Sequence, residues 1–206
     1  KAAAREALDM PAMQGLDRAN LLDSEVITEH RAGHPQAALA LCEAASALSA
    51  QLGDTHGVIR GMYRRGTFLL ELGDATGAVR ELQRAADQAE HHGFTLLLRG
   101  ILFNLVCAYT ARTEPRLMLA TAQRGWDLQP PLPLVELRIM YRLAFVDAHA
   151  ALGGLGLAWE HARAAVDDAL TLGTQLALAA AVKTCIELFA LVGDEDGRLR
   201  LLAAID

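Results

Sequence analysis

The sequence predicts an all-α protein, a solenoid of about five antiparallel helix pairs of roughly 40 residues each. Hydrophobic residues make up 52% of the 206 residues but aromatic residues only 5%, so alanine and leucine, both strong helix formers, dominate. Glycines that mark turns recur at one fixed step, from Gly33 to Gly73 and from Gly153 to Gly193. Alanines recur at the same step, at Ala38, Ala78 and Ala158. Self-similarity at a fixed period of this length indicates a repeat architecture.

Two kinds of turn alternate along the chain. The first contains the glycine column, in which Thr113 replaces the expected glycine within an Arg-Thr-Glu-Pro turn. The second turn reads Leu52-Gly53-Asp54, His92-Gly93-Phe94, Pro130-Pro131-Leu132-Pro133 and Leu172-Gly173-Thr174. Helices therefore end at glycine and begin again at Asp, Thr or Pro. Because the turns are very short, neighbouring helices must run antiparallel.

The helices follow in order from these signals. Residues 1–9 are expected to be the remnant of an earlier helix, in a fragment of a longer protein. One repeat domain is expected to span residues 1–206, with repeats near 19–53, 54–93, 94–131, 132–173 and 174–206. The predicted helices are 19–32 and 35–52, 54–72 and 75–92, 94–112 and 115–129, 132–152 and 155–172, and 174–192 and 195–206. Pro35 and Pro115 each begin a second helix, where proline's missing N–H costs nothing.

Small and large residues are expected to divide the packing between them. Where the two helices of a pair cross, the backbones approach closely and alanine or glycine is required. Larger residues are expected to fill the space between pairs, namely Leu69, Leu82, Val106, Phe145 and Leu202. One pair has too little core to fold alone, whereas stacked pairs bury a continuous core.

Composition and charge weigh against several classes of function. The net charge of −6 disfavours direct nucleic-acid binding, which needs clustered lysine and arginine. The three cysteines (Cys42, Cys107, Cys185) are far apart, so we expect buried free thiols and a cytoplasmic setting. The first residues, Lys-Ala-Ala-Ala-Arg-Glu, do not have the long apolar core of a signal peptide, so none is expected. The most apolar stretches contain charged or amide side chains, so no membrane span is expected.

No constellation of residues points to catalysis. The sequence contains no His-Glu-x-x-His, Gly-x-Ser-x-Gly or phosphate-loop motif, and we expect no enzyme activity, no cofactor and no metal site. His30 and His34 are close in sequence, but the turn at Gly33 places them on different helices. The pair Asp167-Asp168 is interpreted as a solvated helix face.

The repeat resembles the tetratricopeptide repeat family. Gly66, Ala78 and Ala85 reproduce the family's three small positions, Tyr109 its aromatic position and Pro130 its closing proline. The consensus tryptophan is absent, and the fifth pair has Arg198 and Ile205 at the alanine positions. The repeat, at about 40 residues, is longer than the roughly 34 residues usual in the family. Long repeats of this kind look like the sensor arrays of MalT-like, LuxR-type and SARP-type bacterial regulators.

The resemblance implies a right-handed superhelix whose inner surface is lined by the first helix of each pair. Matching family groove positions yields a candidate peptide groove of Asn20, Asp23, Ile27, Arg60, Tyr63, Arg64, Thr67, Phe103, Asn104, Cys107, Asp147, Lys183 and Glu187. Alternatively, Tyr63 and Phe103 pack between helices while Arg60 and Arg64 pair with local acids. A known clamp for C-terminal carboxylates is not expected, because Thr67, Met140 and Ala144 occupy its positions.

The function that this resemblance implies is protein or peptide binding within a bacterial transcriptional or signalling regulator, with self-association as a further option. The alternative is a sensing domain for a small-molecule inducer, with the ligand held inside the superhelix. Binding of the partner at the groove and binding at the helix ends both remain open.

Overall fold

A computed structural model of the chain describes residues 15–128 and 135–203. This part consists of ten α-helices and contains no strand. The helices are α1 (Leu16–Arg31), α2 (Pro35–Gln51), α3 (Thr55–Glu71), α4 (Ala75–His91), α5 (Thr95–Ala111), α6 (Pro115–Asp127), α7 (Val135–Ala151), α8 (Leu155–Leu172), α9 (Gln175–Val192) and α10 (Glu195–Ala203). The prediction of an all-α stack of helix pairs is confirmed. The predicted helix 1–9 and Pro130 lie outside the described residues.

The repeat step that the sequence shows is kept in the structure. The second helix of successive pairs begins at Pro35, Ala75, Pro115 and Leu155, and the first helix at Thr55, Thr95, Val135 and Gln175. Most described helix ends lie within one residue of the predicted ones, but α1 begins at Leu16 and not at the predicted residue 19. Glycine turns and proline starts therefore locate these helices accurately, because both signals act through local backbone geometry.

Left-handed backbone conformations occur at the turns. Positive φ is found at the turn glycines, with φ of 87° at Gly73 and 79° at Gly153, and also at Thr113, where φ is 57°. Asp54, Asp74 and Asp194 then cap the following helices, each carboxylate accepting a hydrogen bond from a backbone N–H three residues on at 2.8–2.9 Å. Each turn thus stops one helix and starts the next.

The contacts of the chain divide it into two compact units, one ending at Arg112 and the other beginning at Thr113. The first unit contains α1–α5, and the second contains α6–α10. In the first unit one cluster of buried residues consists of Val26, Ala38, Cys42 and Phe68. In the second unit one such cluster consists of Val146, Ala158, Ala162, Cys185 and Leu188.

Small residues lie where helices cross, as predicted. A Cβ added to Gly66 on α3 would lie 2.6 Å from the Cγ of Leu82 on α4, and Ala78 and Ala85 are fully buried. Of the residues predicted to fill the space between pairs, Leu82, Val106 and Phe145 are buried and Leu69 is half-buried. The side chain of Leu202 lies outside the described residues.

One helix in the described part of the chain, α9, is long and apolar enough to cross a membrane by length and composition alone, with a mean hydropathy of 1.7. A mostly buried core helix of a soluble protein passes the same test, whereas 22% of this stretch of α9 is buried. Two residues of α9, Cys185 and Leu188, pack in one cluster with Val146 of α7 and Ala158 of α8. This packing is what the fold requires of a first helix in a stacked pair.

Candidate functional site

Ten of the thirteen candidate groove residues lie on α1, α3 and α5 of the first unit, the first helices of three successive pairs. We call this set the inner face: Asn20, Asp23, Ile27, Arg60, Tyr63, Arg64, Thr67, Phe103, Asn104 and Cys107. Asn20 and Ile27 are exposed, and the other eight are half-buried. Hydrogen bonds and ion pairs join several of these side chains across neighbouring helices.

An ionic cluster joins α1 to α3. Arg64 donates from Nη1 to the Asp23 carboxylate and also to the Asp23 backbone oxygen at 3.0 Å. Arg60 Nε lies 3.4 Å from Asp23 Oδ2, yet within the described chain this buried atom makes no hydrogen bond. Two guanidinium groups thus share one carboxylate, and the cluster has a formal charge of +1. The pairing of both arginines with a local acid, which the sequence left open, is confirmed.

A network of neutral polar groups joins α3 to α5. Asn104 Nδ2 donates to the Tyr63 hydroxyl at 2.9 Å and to the Gly100 carbonyl at 3.2 Å. Thr67 Oγ1 donates to the Tyr63 carbonyl at 3.1 Å and lies 3.4 Å from Asn104 Oδ1. Burial raises the pKa of Tyr63 above its usual value of 10. The Arg64 charge and the Asn104 hydrogen bond oppose that shift in pKa.

A pocket of about 180 Å³ opens between α1 and α3. It is lined by Val26, Ile27, His30, Tyr63, Arg64, Thr67 and Phe68. Val26 and Phe68 are buried and apolar, whereas Tyr63, Arg64 and Thr67 supply polar atoms. His30 at its border is fixed by a 2.8 Å contact with the Glu71 carboxylate and by a tilted contact with the Phe68 ring. The pocket thus combines an apolar lining with oriented polar groups.

The other three candidate residues lie in the second unit. Asp147 on α7 and Lys183 and Glu187 on α9 are exposed, and Lys183 Nζ lies 3.6 Å from Glu187 Oε1. Asp147 and Glu187 line a cleft of about 240 Å³ with Thr184 and four apolar residues. Desolvation by the surrounding helices, followed by the Glu187 charge, raises the pKa of Asp147 to about 6, while Lys183 opposes the shift.

The interpretation of Asp167-Asp168 as a solvated face is wrong for Asp168. Successive helix residues are rotated by about 100°, so two adjacent aspartates face different surroundings. Asp167 is exposed, but the Asp168 side chain is only 13% exposed. Its carboxylate accepts hydrogen bonds from Arg138 at 2.6 and 3.0 Å and from Arg142 at 2.7 Å. Asp168 therefore ties α8 to α7 through two arginines.

An aromatic cluster in the second unit was not foreseen from the sequence. The Trp126 and Phe145 rings meet edge to face at 5.8 Å, and Phe145 stacks on His161 at 4.7 Å. His149 stacks on His161 at 5.6 Å, and the Arg142 guanidinium lies 5.1 Å from the centre of a Trp126 ring. Desolvation, then the charges of His149 and Arg142, lower the pKa of His161. The predicted turns place Trp126, Phe145 and His161 on three successive helices, but no local pattern in the sequence indicates that their rings meet.

Two of the three thiols, those of Cys42 and Cys185, are poorly suited to nucleophilic chemistry. None of the three cysteines forms a disulfide, Cys42 and Cys185 are buried, and Cys107 is half-buried. Cys42 Sγ donates to the Gly61 carbonyl at 3.3 Å, and burial raises the pKa of Cys42 to about 11. Burial also raises the pKa of Cys185. Among residues 15–128 and 135–203, no group of three or more His, Cys, Asp or Glu side chains could hold a metal ion.

Comparison with solved structures shows which class of fold this is. The chain is similar to the crystal structure of a putative kinesin light chain of Podosopora anserina with nearly identical TPR-like repeats, at a TM-score of 0.74 and 16% sequence identity. The match covers 93% of this chain and 94% of that one. A substituted form of the same protein matches at a TM-score of 0.76 and 16% identity, over 94% of this chain and 95% of the other.

The chain is therefore a helix-pair repeat scaffold. In particular, it has the tetratricopeptide-like repeat fold, as its small-residue columns predicted. No family model and no curated protein sequence matches the chain. At this low sequence identity the structural likeness defines the fold alone, so the function is inferred from the site.

Proposed function

We propose that this chain is a protein-binding scaffold whose inner face holds an extended peptide. The observation that carries the proposal is the pocket between α1 and α3, lined by buried apolar groups and by Tyr63, Arg64 and Thr67. Extended peptides are recognised by pockets for side chains together with polar groups that bond to the backbone. Both kinds of group are present on adjacent helices of the first unit.

The size of the pocket favours a peptide side chain over a separate small molecule. Sites for small molecules usually measure roughly 300–1,000 Å³. The pocket on the inner face measures about 180 Å³, which suits one amino-acid side chain. The alternative function, sensing of a small-molecule inducer, would require a pocket on the inner face larger than this one.

The polar groups of the inner face are held in place before any partner arrives. Asn104 Nδ2 donates to both Gly100 and Tyr63, so its Oδ1 is preorganised to accept a hydrogen bond from a peptide N–H. The Tyr63 hydroxyl accepts one hydrogen bond from Asn104 and keeps a hydrogen of its own to donate. The formal charge of +1 on the Asp23–Arg60–Arg64 cluster favours a partner with an acidic group near this pocket.

The cellular role that we propose is the interaction region of a cytoplasmic bacterial regulator. Its support is the unusually long repeat, which resembles the arrays of such regulators, and the net charge of −6, which favours a protein partner over nucleic acid. Exposed leucines at the end of the second unit, such as Leu176 at 84% exposure, would allow self-association. The flanking sequence of the full gene tests this role, since an adjoining ATPase or DNA-binding module is expected there.

A thermal-shift screen of peptides and metabolites against the whole chain tests the peptide proposal. Acidic peptides with one apolar side chain are expected to raise the melting temperature. The variant Tyr63→Phe keeps the ring but removes the hydroxyl, and Asn104→Ala removes the amide, so both are expected to weaken the peptide's binding by about tenfold. A shift that metabolites alone produce would favour the inducer function.

The matched control is Tyr109→Phe. Tyr109 is on α5, the helix of Asn104, but it lies outside the inner face. Its hydroxyl, like that of Tyr63, accepts a hydrogen bond from an amide side chain, that of Gln83 at 2.8 Å. This variant is expected to change stability without changing peptide affinity. If Tyr63→Phe and Tyr109→Phe affect the peptide equally, the inner face is not the binding site.

A further inference from the structure

A second and larger cleft lies on the other side of α3 in the first unit. It has a volume of about 390 Å³ and runs between α2 and α4, with α3 as its floor. Ser46, Gly61, Met62, Arg65, Glu81 and Arg84 are among its lining residues. At about 100° per helix residue, these α3 positions lie roughly half a turn away from Tyr63 and Thr67. We call this the outer cleft, and it is distinct from the inner face.

Small side chains keep the outer cleft open. A Cβ added to Gly61 would lie 1.6 Å from Ser46 Oγ, so these two residues are in close contact and leave the space above them unfilled. Charged groups line it, with Arg65 3.6 Å from Glu43 and Arg84 3.3 Å from Glu81. Two carboxylates and two guanidinium groups cancel, so the cleft suits a neutral ligand better than a charged one.

The second unit shows what chemistry the equivalent place accepts. Trp126, Phe145 and His161 occupy the positions of Ser46, Arg65 and Glu81, respectively, two repeats further along the chain. There the three rings are in contact in series, at centroid distances of 5.8 Å and 4.7 Å. The Arg142 guanidinium covers the Trp126 indole at 5.1 Å. The space that is open over α3 is therefore occupied, over α7, by aromatic side chains and an arginine.

We propose that the outer cleft binds one neutral aromatic side chain of indole size from a partner polypeptide. At about 390 Å³ the outer cleft is larger than the pocket of the inner face, so it can hold a large aromatic side chain. Arg65, at the register position of Phe145, is 45% exposed and placed to cover the bound ring through a cation–π contact. The Met62 thioether, half-buried in the same lining, makes a favourable contact with an aromatic ring. A tryptophan of the partner bound here would fill the space over α3, as Trp126 of the chain itself fills the equivalent space over α7.

The test uses N-acetyl-5-fluorotryptophan amide as the probe, titrated against the whole chain and followed by ¹⁹F NMR. Millimolar binding is expected, because a single side chain is a small ligand. Ser46→Trp places the chain's own indole in the cleft and is expected to weaken probe binding more than tenfold. The matched control Ala47→Trp adds the same ring at an exposed position one residue further on, and is expected to leave probe binding unchanged.

A second variant keeps the test decisive if Ser46→Trp does not fold. Arg65→Ala changes one exposed side chain and is expected to weaken probe binding by about two- to fivefold, through loss of the cation–π contact. Absence of binding to the unsubstituted chain at millimolar probe, or binding that survives both variants, overturns the proposal. Tyr63→Phe is expected to leave probe binding unchanged, which separates this site from the peptide site of the inner face.

Discussion

Thr113 occupies a left-handed backbone conformation, with φ of 57°, that glycines adopt at the equivalent described turns of the chain. For an L-residue this conformation costs roughly 1–2 kcal/mol, and a β-branched side chain is among the least tolerant. A glycine at this position would avoid that cost, but part of the benefit would be lost because glycine loses more conformational freedom on folding. Thr113 therefore carries backbone strain that a glycine at this position would not.

Replacing Thr113 by glycine is expected to stabilise the chain by about 1 kcal/mol. The measurement is the urea midpoint followed by far-ultraviolet circular dichroism. The reverse substitution, Gly153→Thr, is the control, because a Cβ added there meets no atom within 4 Å and the backbone has φ of 79°. A loss on Thr113→Gly would show that the threonine side chain contributes more than its strain costs.

Asp147 makes the stability of the second unit depend on pH. Its pKa is raised to about 6 in the folded chain, so between pH 6 and its usual value of 3.8 the folded chain holds a proton that the unfolded chain has released. Stability therefore falls as the pH rises through this window, and the unfavourable contribution is fully present above pH 6. Asp147→Asn is expected to raise the urea midpoint more at pH 7 than at pH 4.

The control for this pH effect is Asp87→Asn, which removes an exposed carboxylate from α4. Asp87→Asn is expected to leave the difference between the urea midpoints at pH 4 and pH 7 unchanged. The Glu187 charge is one cause of the raised pKa of Asp147, so Glu187→Gln should reduce the pH dependence as well. An equal gain at pH 4 and pH 7 on Asp147→Asn would contradict the assignment.

Individual side-chain contacts were the hardest features to predict from the sequence. Family positions correctly placed Tyr63 and Asn104 on adjacent first helices, but not the hydrogen bond between them. Asp168 was misread because an Asp-Asp pair does not reveal which of the two residues faces a neighbouring helix. Such contacts depend on rotamers and on side chains one or two helices away, for which local sequence has no signal.

Among the helices, α6 and α7 fit together through one pair of complementary residues. A Cβ at Gly125 on α6 would lie 2.0 Å from the Tyr141 hydroxyl on α7. One repeat earlier the same two positions hold Ala85 and Ile101, both fully buried. A large ring at one position therefore requires the smallest residue at the other.

Gly125→Ala is expected to destabilise the chain by roughly 1–3 kcal/mol through overpacking. Adding Tyr141→Ile to that variant recreates the pair of the preceding repeat and is expected to recover part of the loss. A double-mutant cycle of urea unfolding measures this coupling, which should exceed about 0.5 kcal/mol. Additive effects of the two substitutions would show that the positions do not constrain each other.

Helix positions were predicted far better than contacts, for a physical reason. Turn glycines, Asp caps and helix-start prolines act on the backbone within a few residues, so their meaning does not depend on the rest of the fold. The Asp54 and Asp74 caps illustrate this, because each accepts from the N–H three residues on. The aromatic cluster around Phe145 joins three helices and has no such local signal.

Across the whole molecule, the two compact units each have their own buried clusters. In repeat proteins, stability is approximately a sum of repeats and their neighbouring interfaces. Residues 1–112 alone are therefore expected to be helical and to unfold cooperatively, at a lower urea midpoint than the whole chain. Far-ultraviolet circular dichroism measures both properties, and a fragment without helical signal would contradict the independence of this unit.

The candidate groove was predicted as one surface along the whole chain. The structure brings ten of its residues together on the inner face, whereas Asp147, Lys183 and Glu187 belong to the second unit. The continuity of the groove and the handedness of the superhelix remain predictions from the family resemblance. Position within a repeat follows from the fixed sequence period, but small rotations between repeats accumulate and are not encoded in any one of them.

The Asp23 carboxylate, shared by Arg60 and Arg64, has a consequence for selectivity. An acidic group of a partner would not meet two unpaired arginines, because Arg60 and Arg64 already pair with the Asp23 carboxylate. Under the proposed function, a partner's acidic group competes with Asp23 for the two guanidinium groups, so binding adds fewer new ion pairs than it would at an open basic patch. Salt then weakens the resident and the incoming contact alike, and affinity should respond less steeply to ionic strength than at an open basic patch. If the proposed peptide site is correct, acids that bind more weakly than Asp23 are expected to be excluded from this cluster.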